Sequence, residues 1–344
     1  WQLCRRSFRS HRPALVVPLC VMAECAQMIK LSNGLDMPAL GFGCAFGNWA
    51  DDTKWKGFTP EEAWAAIPEA VRAGFRHFDG ALFYGTHRIL GQVLGKHFAT
   101  GQLKRSDVWV TTKVFHPPAP LGLNSLGKSI NMLDPSIDLK AEVRKQIETS
   151  LEELLLGYVD LLLMHWPGMW RSQDEALNRR LRKECWEVFE EYLELGKVKA
   201  IGVPNFQQRH LEMLIEDTKV APMVNQIEIS PFITQEDLVS YCQSKGIALE
   251  AWAPFGSGAT GVIADPVVNA LAEKYKKNAG QVVLRWLVQQ GICALPKSSN
   301  EGRMKGNLDV FDFELAPEDM SAISALNKNL SPVTGNSVPG SDIA

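Results

Sequence analysis

Residues 74–113 read GFRHFDGALFYGTHRILGQVLGKHFATGQLKRSDVWVTTK. An apolar run at Phe75–Asp79 is followed by a helical pattern over His87–Phe98 and a second apolar run at Val108–Lys113. Short apolar runs bounded by turn residues suit strands buried on both faces, and an intervening helix suits a parallel crossover. The unit recurs outward in both directions. Further apolar runs lie at Leu40–Gly43, Val159–His165, Ala200–Val203, Met223–Glu228, Ala248–Trp252 and Ile292–Pro296, which makes eight.

Helical patterns separate them at Pro60–Ala73, Leu139–Leu156, Glu175–Leu195, Gln208–Asp217, Gln235–Ser244, Val267–Lys277 and Glu301–Asp309, with two extra helices expected at Gln281–Gln289 and Pro317–Leu326. Eight strand–helix units in a chain of 344 residues fit a closed (β/α)8 TIM barrel, an α/β fold, better than an open doubly wound sheet. Asn33-Gly34 between Met28–Leu31 and Leu35–Leu40 predicts an N-terminal β-hairpin with a two-residue turn. The expected organisation is a non-core extension over residues 1–24, one barrel over 25–328, and a flexible tail over 329–344. The extension carries Arg5, Arg6, Arg9 and Arg12 before an apolar run and reads as a targeting or upstream-derived segment.

Composition narrows the function classes. A formal net charge of −3 argues against a general nucleic-acid binder, which needs a basic excess. No apolar run is long enough to span a bilayer as a helix. The seven cysteines never take a Cys-x-x-Cys spacing, and the seven histidines never stand four apart as a helical zinc pair, so reduced thiols and no metal site are expected. These readings favour a cytoplasmic protein, or an organellar one if residues 1–21 form a transit peptide.

Two motifs mislead. Gly122–Ser129 spells the phosphate-binding P-loop letter for letter, but Pro117, Pro118 and Pro120 deny it a preceding strand and Asp134-Pro135 curtails its helix. Gly256-Ser-Gly258-Ala-Thr-Gly261 follows a strand, but it comes too late in the chain to be a first dinucleotide-binding turn. Its exposed amides remain able to meet a diphosphate. Residues 116–138 form a long Pro- and Gly-rich stretch that reads as a loop over the barrel rim.

Active sites of such barrels form where strands end. Asp79 and Lys113 end two successive strands, His165 ends the next, and Tyr84 enters the loop after Asp79. Neighbouring strand ends stand about 5 Å apart, so the four side chains can meet. A nearby ammonium would lower the pKa of the Tyr84 phenol, with Asp79 holding Lys113 charged. Tyr84 could then protonate an oxygen that His165, as a neutral N–H donor, polarises. Taken singly, each residue has a structural alternative: a cap, a surface lysine, a packed ring, a satisfied histidine. Together they fit reduction of a carbonyl group.

The segments GFRHFDGALFYG, VWVTTK, DLLLMHWP, AIGVPNF, VNQIEISP, AWAPFGSG and LPKSSNEGRMKGN make the chain resemble the aldo-keto reductases over residues 28–328. The resemblance implies an NADPH-dependent barrel whose catalytic tetrad is Asp79, Tyr84, Lys113 and His165. It implies that Asn205 and Gln226 bond the nicotinamide carboxamide and that Trp252 stacks on the ring. Phe255, Gly256 and Ser257 would approach the diphosphate, Lys297, Ser298 and Arg303 the adenosine 2′-phosphate, and Asn307 the adenine. Phe46, Trp49, Phe115 and Trp166 are candidate substrate-pocket walls. Pro204, Thr86-His87, Cys44, Phe115 and Trp252 depart from the family's usual residues and leave the tetrad untouched. The expected partner is a small carbonyl compound, with no nucleic acid or membrane partner and a monomeric chain. Two other classes compete: a non-catalytic NADPH-binding sensor on the same barrel, and a P-loop nucleotidase using Lys128.

Overall fold

The computed structural model describes residues 27–47, 59–114, 138–168, 173–258, 260–329 and 331. Eight parallel strands follow one another in chain order: β3 (Phe42–Gly43), β4 (His77–Asp79), β5 (Trp109–Val114), β6 (Val159–Met164), β7 (Val198–Pro204), β8 (Val224–Glu228), β9 (Ala248–Trp252) and β10 (Ile292–Leu295). Leu40 pairs with Ala294 in a parallel bridge, and Gly43 N donates to the Pro296 carbonyl at 3.1 Å. The last strand thereby closes onto the first. Strands β5, β6 and β8 are buried along their whole length, as an apolar sheet wrapped by helices requires.

The helices occupy the expected places. They are α1 (Ala63–Ala73), α2 (His87–Ala99), α3 (Leu139–Leu154), α4 (Glu175–Glu194), α5 (Gln208–Asp217), α6 (Glu236–Ser244), α7 (Pro266–Tyr275), α8 (Ala279–Gln289), α9 (Glu301–Leu308) and α10 (Pro317–Ser324). Side-chain caps from Asp138, Asp174, Asp265, Asn278 and Asn300 satisfy amides in the first turns of α3, α4, α7, α8 and α9. The sequence pattern assigned α7 to the barrel and α8 to the extras. The packing reverses this: α8 buries nearly every residue from Ala279 to Val288 against β10, whereas α7 buries only Val268, Leu271 and Ala272. Periodicity marks an amphipathic helix but not which neighbour its apolar face meets.

A hairpin of β1 (Met28–Lys30) and β2 (Asp36–Pro38) precedes the barrel, and Asn33 Nδ2 donates to the Lys199 carbonyl near the start of β7. Its loop differs from the expected two-residue turn. Leu31 N bonds the Leu35 carbonyl, so Ser32, Asn33 and Gly34 form a three-residue loop, and only Gly34 takes positive φ, at 87°. That is the bulged alternative, which needs one glycine where the type I′ turn favoured by Asn-Gly needs two left-handed residues. The P-loop look-alike, most of the stretch at 116–138, the extension at 1–24, and the tail except Asn329 and Ser331 lie outside the described residues.

Close packing of α2 on α3 depends on Gly91, where an added Cβ would overlap the Leu154 carbonyl oxygen. Gly91→Ala should therefore cost about 1–3 kcal/mol through overpacking. Gly95, one turn later, faces open space, so Gly95→Ala should stabilise α2 by up to about 1 kcal/mol. Urea unfolding of the two variants should move the midpoint in opposite directions.

Candidate active site

Strand β4 ends on Asp79, β5 carries Lys113 at its penultimate position, and His165 follows β6 directly. Tyr84 closes the short 3-10 turn Leu82–Tyr84 that leads from β4 towards α2. The barrel register thus brings all four expected side chains to one mouth. Lys113 is 1% exposed, and its ammonium donates to Asp79 Oδ1 at 2.6 Å and to the Gly80 carbonyl at 3.0 Å. It also hydrogen-bonds the Tyr84 side chain and lies 5.2 Å from the Tyr84 ring centroid. An ammonium has three N–H groups, and here each has an acceptor.

His165 stands with its ring 5.8 Å from that of Tyr84, edge to face. Burial, helped by the Lys113 charge, pushes its pKa down to about 3, so the imidazole is neutral as expected. Tyr84 corrects the expectation about its acidity. Burial raises its pKa above the ordinary value; Lys113 pulls the other way, as foreseen, without winning. Burial also works against the Lys113 ammonium, yet the charge of Asp79 and its hydrogen bond lead the interactions that outweigh it and hold the lysine charged. At neutral pH the phenol is a filled proton store beside a fixed cation.

The profile of the Aldo/keto reductase family matches residues 44–328. "Aldose reductase C" of Dictyostelium discoideum is 34% identical over 323 residues, covering 89% of this chain and 92% of the relative. "Glyoxal reductase" of Bacillus subtilis is 36% identical over 301 residues, with 88% and 93% covered. A Bombyx mori aldo-keto reductase solved in complex with NADP superposes with a TM-score of 0.74 at 33% identity, covering 89% of this chain and 94% of that one. The chain belongs to the aldo/keto reductase family. With all four acid–base residues assembled, nothing favours a barrel that has given up catalysis.

Of the residues expected to meet an aldo/keto reductase's dinucleotide, Asn205, Gln226 and Trp252 are tied to the tetrad by hydrogen bonds. Asn205 follows β7 with φ 60°, and its Oδ1 accepts the Trp252 indole N–H at 3.0 Å while its Nδ2 reaches the His165 carbonyl at 3.4 Å. Trp252 therefore fixes the Asn205 amide, a role the sequence did not suggest. After β9, Gly256, Ser257 and Gly258 all take positive φ, turning the backbone sharply beside Phe255. Lys297 and Arg303 are exposed, Ser298 and Asn307 are buried, and Arg303 Nε contacts Ser298 Oγ at 3.4 Å.

Of the four proposed pocket walls, Trp166 is half-buried next to His165, whereas Phe46 is 1% exposed and packs in the core against Phe42. Phe46 thus takes the core-packing role, with Lys297 Nζ 5.8 Å from its ring centroid. Trp49 and Phe115 lie outside the described residues.

One pleat below the tetrad lies a polar layer that the sequence reading missed. His77, Thr111, Glu250 and Cys293 are all fully buried, each on the inward face of its strand. Glu250 Oε1 stands 3.4 Å from His77 Nε2, while Cys293 Sγ stands 3.7 Å from His77 Nδ1. These three residues have donor atoms within 4.8 Å of one another. Carboxylate and thiol, however, face opposite ring nitrogens, so the imidazole could serve only one of them around a single ion. The legible signal was a polar residue two positions before each functional one: His77 before Asp79, Thr111 before Lys113 and Glu250 before Trp252.

The buried titrating groups set how stability varies with pH. Burial lowers His77 to about 4 and His87 and His165 to about 3, from 6.5. It raises Glu228 to about 7 and Glu250 to about 8, from 4.5. Up to pH 6.5 the unfolded chain binds more protons at the three histidines, which raises stability with pH. From pH 4.5 to 8 the two folded carboxyls hold protons that the unfolded chain has lost, which lowers it, so the histidines prevail until they near 6.5 and the carboxyls beyond. Urea midpoints should peak near pH 6.5 and decline on both sides.

Proposed function

We propose that this chain is an NADPH-dependent oxidoreductase that reduces aldehydes, ketones or open-chain sugars to alcohols. The reading is carried by the Lys113 ammonium shared between Asp79 and Tyr84 at the barrel mouth. The relatives' names agree with it: aldose, glyoxal and prostaglandin endoperoxide reductases. The residues present also fit the cofactor. Gly256 occupies a tight turn, its amide bonded to the Ala253 carbonyl at 2.8 Å, where a Cβ would overlap Thr260 Oγ1, so only glycine keeps the backbone this compact beside Ser257. Lys297 and Arg303 offer cations beside the Asn300-capped start of α9, where backbone amides and the helix dipole favour a dianion.

NADPH supplies the hydride. Tyr84 is placed to give its hydroxyl proton to the substrate's carbonyl oxygen, and Lys113 stabilises the phenolate that remains. His165 supplies a neutral N–H to the same oxygen, so polarisation needs no second cation. Asp79 keeps the ammonium aimed at Tyr84. Trp166 borders the space the substrate would take. Because one barrel contributes all four residues, we assign a single chain as the working unit. We place it in the cytoplasm, in keeping with the buried, unlinked thiols of Cys44, Cys185, Cys242 and Cys293. No helix among the described residues is long and apolar enough to cross a membrane.

Two measurements test this reading. Tyr84→Phe should abolish NADPH consumption across a panel of aldehydes, ketones and sugars while still quenching tryptophan fluorescence on binding NADPH; undiminished turnover would defeat the role. Lys297→Ala or Arg303→Ala should cut the preference for NADPH over NADH by about tenfold each, because a charge-assisted hydrogen bond contributes about 1.5–3 kcal/mol. Equal use of both dinucleotides by the unaltered protein would refute the phosphate assignment.

A further inference from the structure

Glu250 is an unexplained expense in this fold. It is wholly buried in the middle of β9, and no lysine or arginine is within ion-pair distance of it among the described residues. Its hydrogen bond runs elsewhere. Gln226 Nε2 donates to Glu250 Oε2 at 2.7 Å and to Asp79 Oδ1 at 2.9 Å. An amide nitrogen has two hydrogens, and these two carboxyl groups take both. Reversing the amide would turn Gln226 Oε1 onto two carboxyl oxygens, so its orientation is settled by the chemistry of its neighbours. The Gln226 carbonyl oxygen is left without a partner among the described residues, as an acceptor only.

We propose that Glu250 is a positioning residue that locks Gln226 with its carbonyl towards the nicotinamide carboxamide and, by its charge beneath the ring, sets the site's preference between oxidised and reduced cofactor. The inference rests on the reading that NADP(H) occupies this mouth. Gln226 would then present its carbonyl oxygen to the carboxamide, and Asn205, held by Trp252, would offer its remaining Nδ2 hydrogen. The oxidised nicotinamide ring carries a positive charge and the reduced ring carries none. An ionised Glu250 therefore favours the oxidised form, whereas a protonated one is indifferent.

The groups facing Glu250 are Asp79 and His77 from β4, Lys113 from β5, Gln226 from β8 and Cys293 from β10, with Thr111 of β5 bonded to His77 Nε2 at 3.2 Å. Burial favours the uncharged form of His77 and Cys293. The charges around Lys113 keep it an ammonium. Glu228, at the end of β8, also gains a proton near neutrality through burial, but its carboxyl bonds Ser331 rather than Gln226.

The test compares dissociation constants of NADP+ and NADPH, read by tryptophan fluorescence from pH 6 to 9, in the unaltered protein, Glu250→Gln and Glu250→Leu. Taking the ratio of the two constants cancels the titration of the shared phosphates. In the unaltered protein the ratio of NADP+ to NADPH constants should fall at least about fivefold as pH rises, the scale expected of one buried charge several ångströms from a cation. In Glu250→Gln, which keeps the acceptor for Gln226, both cofactors should bind and the ratio should be flat. Glu250→Leu should weaken both, since Gln226 loses half its lock; should that variant not fold, Glu250→Gln decides alone. A pH-dependent ratio that persists in Glu250→Gln, or a flat ratio in the unaltered protein, overturns the proposal. Failure of the unaltered protein to bind either dinucleotide overturns the proposed function, and this inference with it.

Discussion

One ammonium, Lys113 Nζ, holds the barrel mouth together. Removing a charge from water costs several kcal/mol, and the cost is recovered only where geometry and hydrogen bonding are both satisfied. Here Asp79, the Gly80 carbonyl and Tyr84 take one N–H each. Because those acceptors come from β4 and the turn after it, and the donor from β5, the ion pair ties the chemistry to the register of two neighbouring strands. Loss of either charge would leave the other buried and unpaired. The site and the barrel's upper rim therefore share one electrostatic fate.

That arrangement separates two properties that sequence reasoning had merged. Proximity of a cation was expected to make Tyr84 more acidic than a free phenol. Burial outweighs that pull, and the resting phenol is less acidic. What Lys113 provides is selectivity of timing: it opposes the penalty on the phenolate at the moment charge leaves the oxygen for a substrate. His165 completes the logic by staying neutral, since a second cation there would compete with Lys113 for the same electron density.

Much of this was legible in the residues. Eight buried runs spaced by helical patterns gave the barrel, because strands covered on both faces lose polar alternation and become recognisable as blocks. The tetrad was legible because strand ends in such barrels converge whatever lies between them. The roles of α7 and α8 were not, since both are amphipathic and only packing tells which meets β10. The hairpin loop escaped because Asn33-Gly34 suits two turn geometries. Phe46 and Trp166 look alike in sequence, yet one faces the core and the other borders His165. Glu250 was hidden by the apolar residues on either side of it, although the two-residue period from Trp252 places it inside the barrel.

The central claim is that Lys113 opposes burial at Tyr84, and it can be measured without turnover. Protein labelled with 13C at the tyrosine ζ carbon would report the ionisation of Tyr84 directly in a pH titration, with Tyr84→Phe identifying its resonance. The account predicts that Tyr84 remains a phenol through the ordinary tyrosine range and moves to still higher pH in Lys113→Met. A Tyr84 titration unchanged by Lys113→Met, or a phenolate already present at neutral pH, would contradict it.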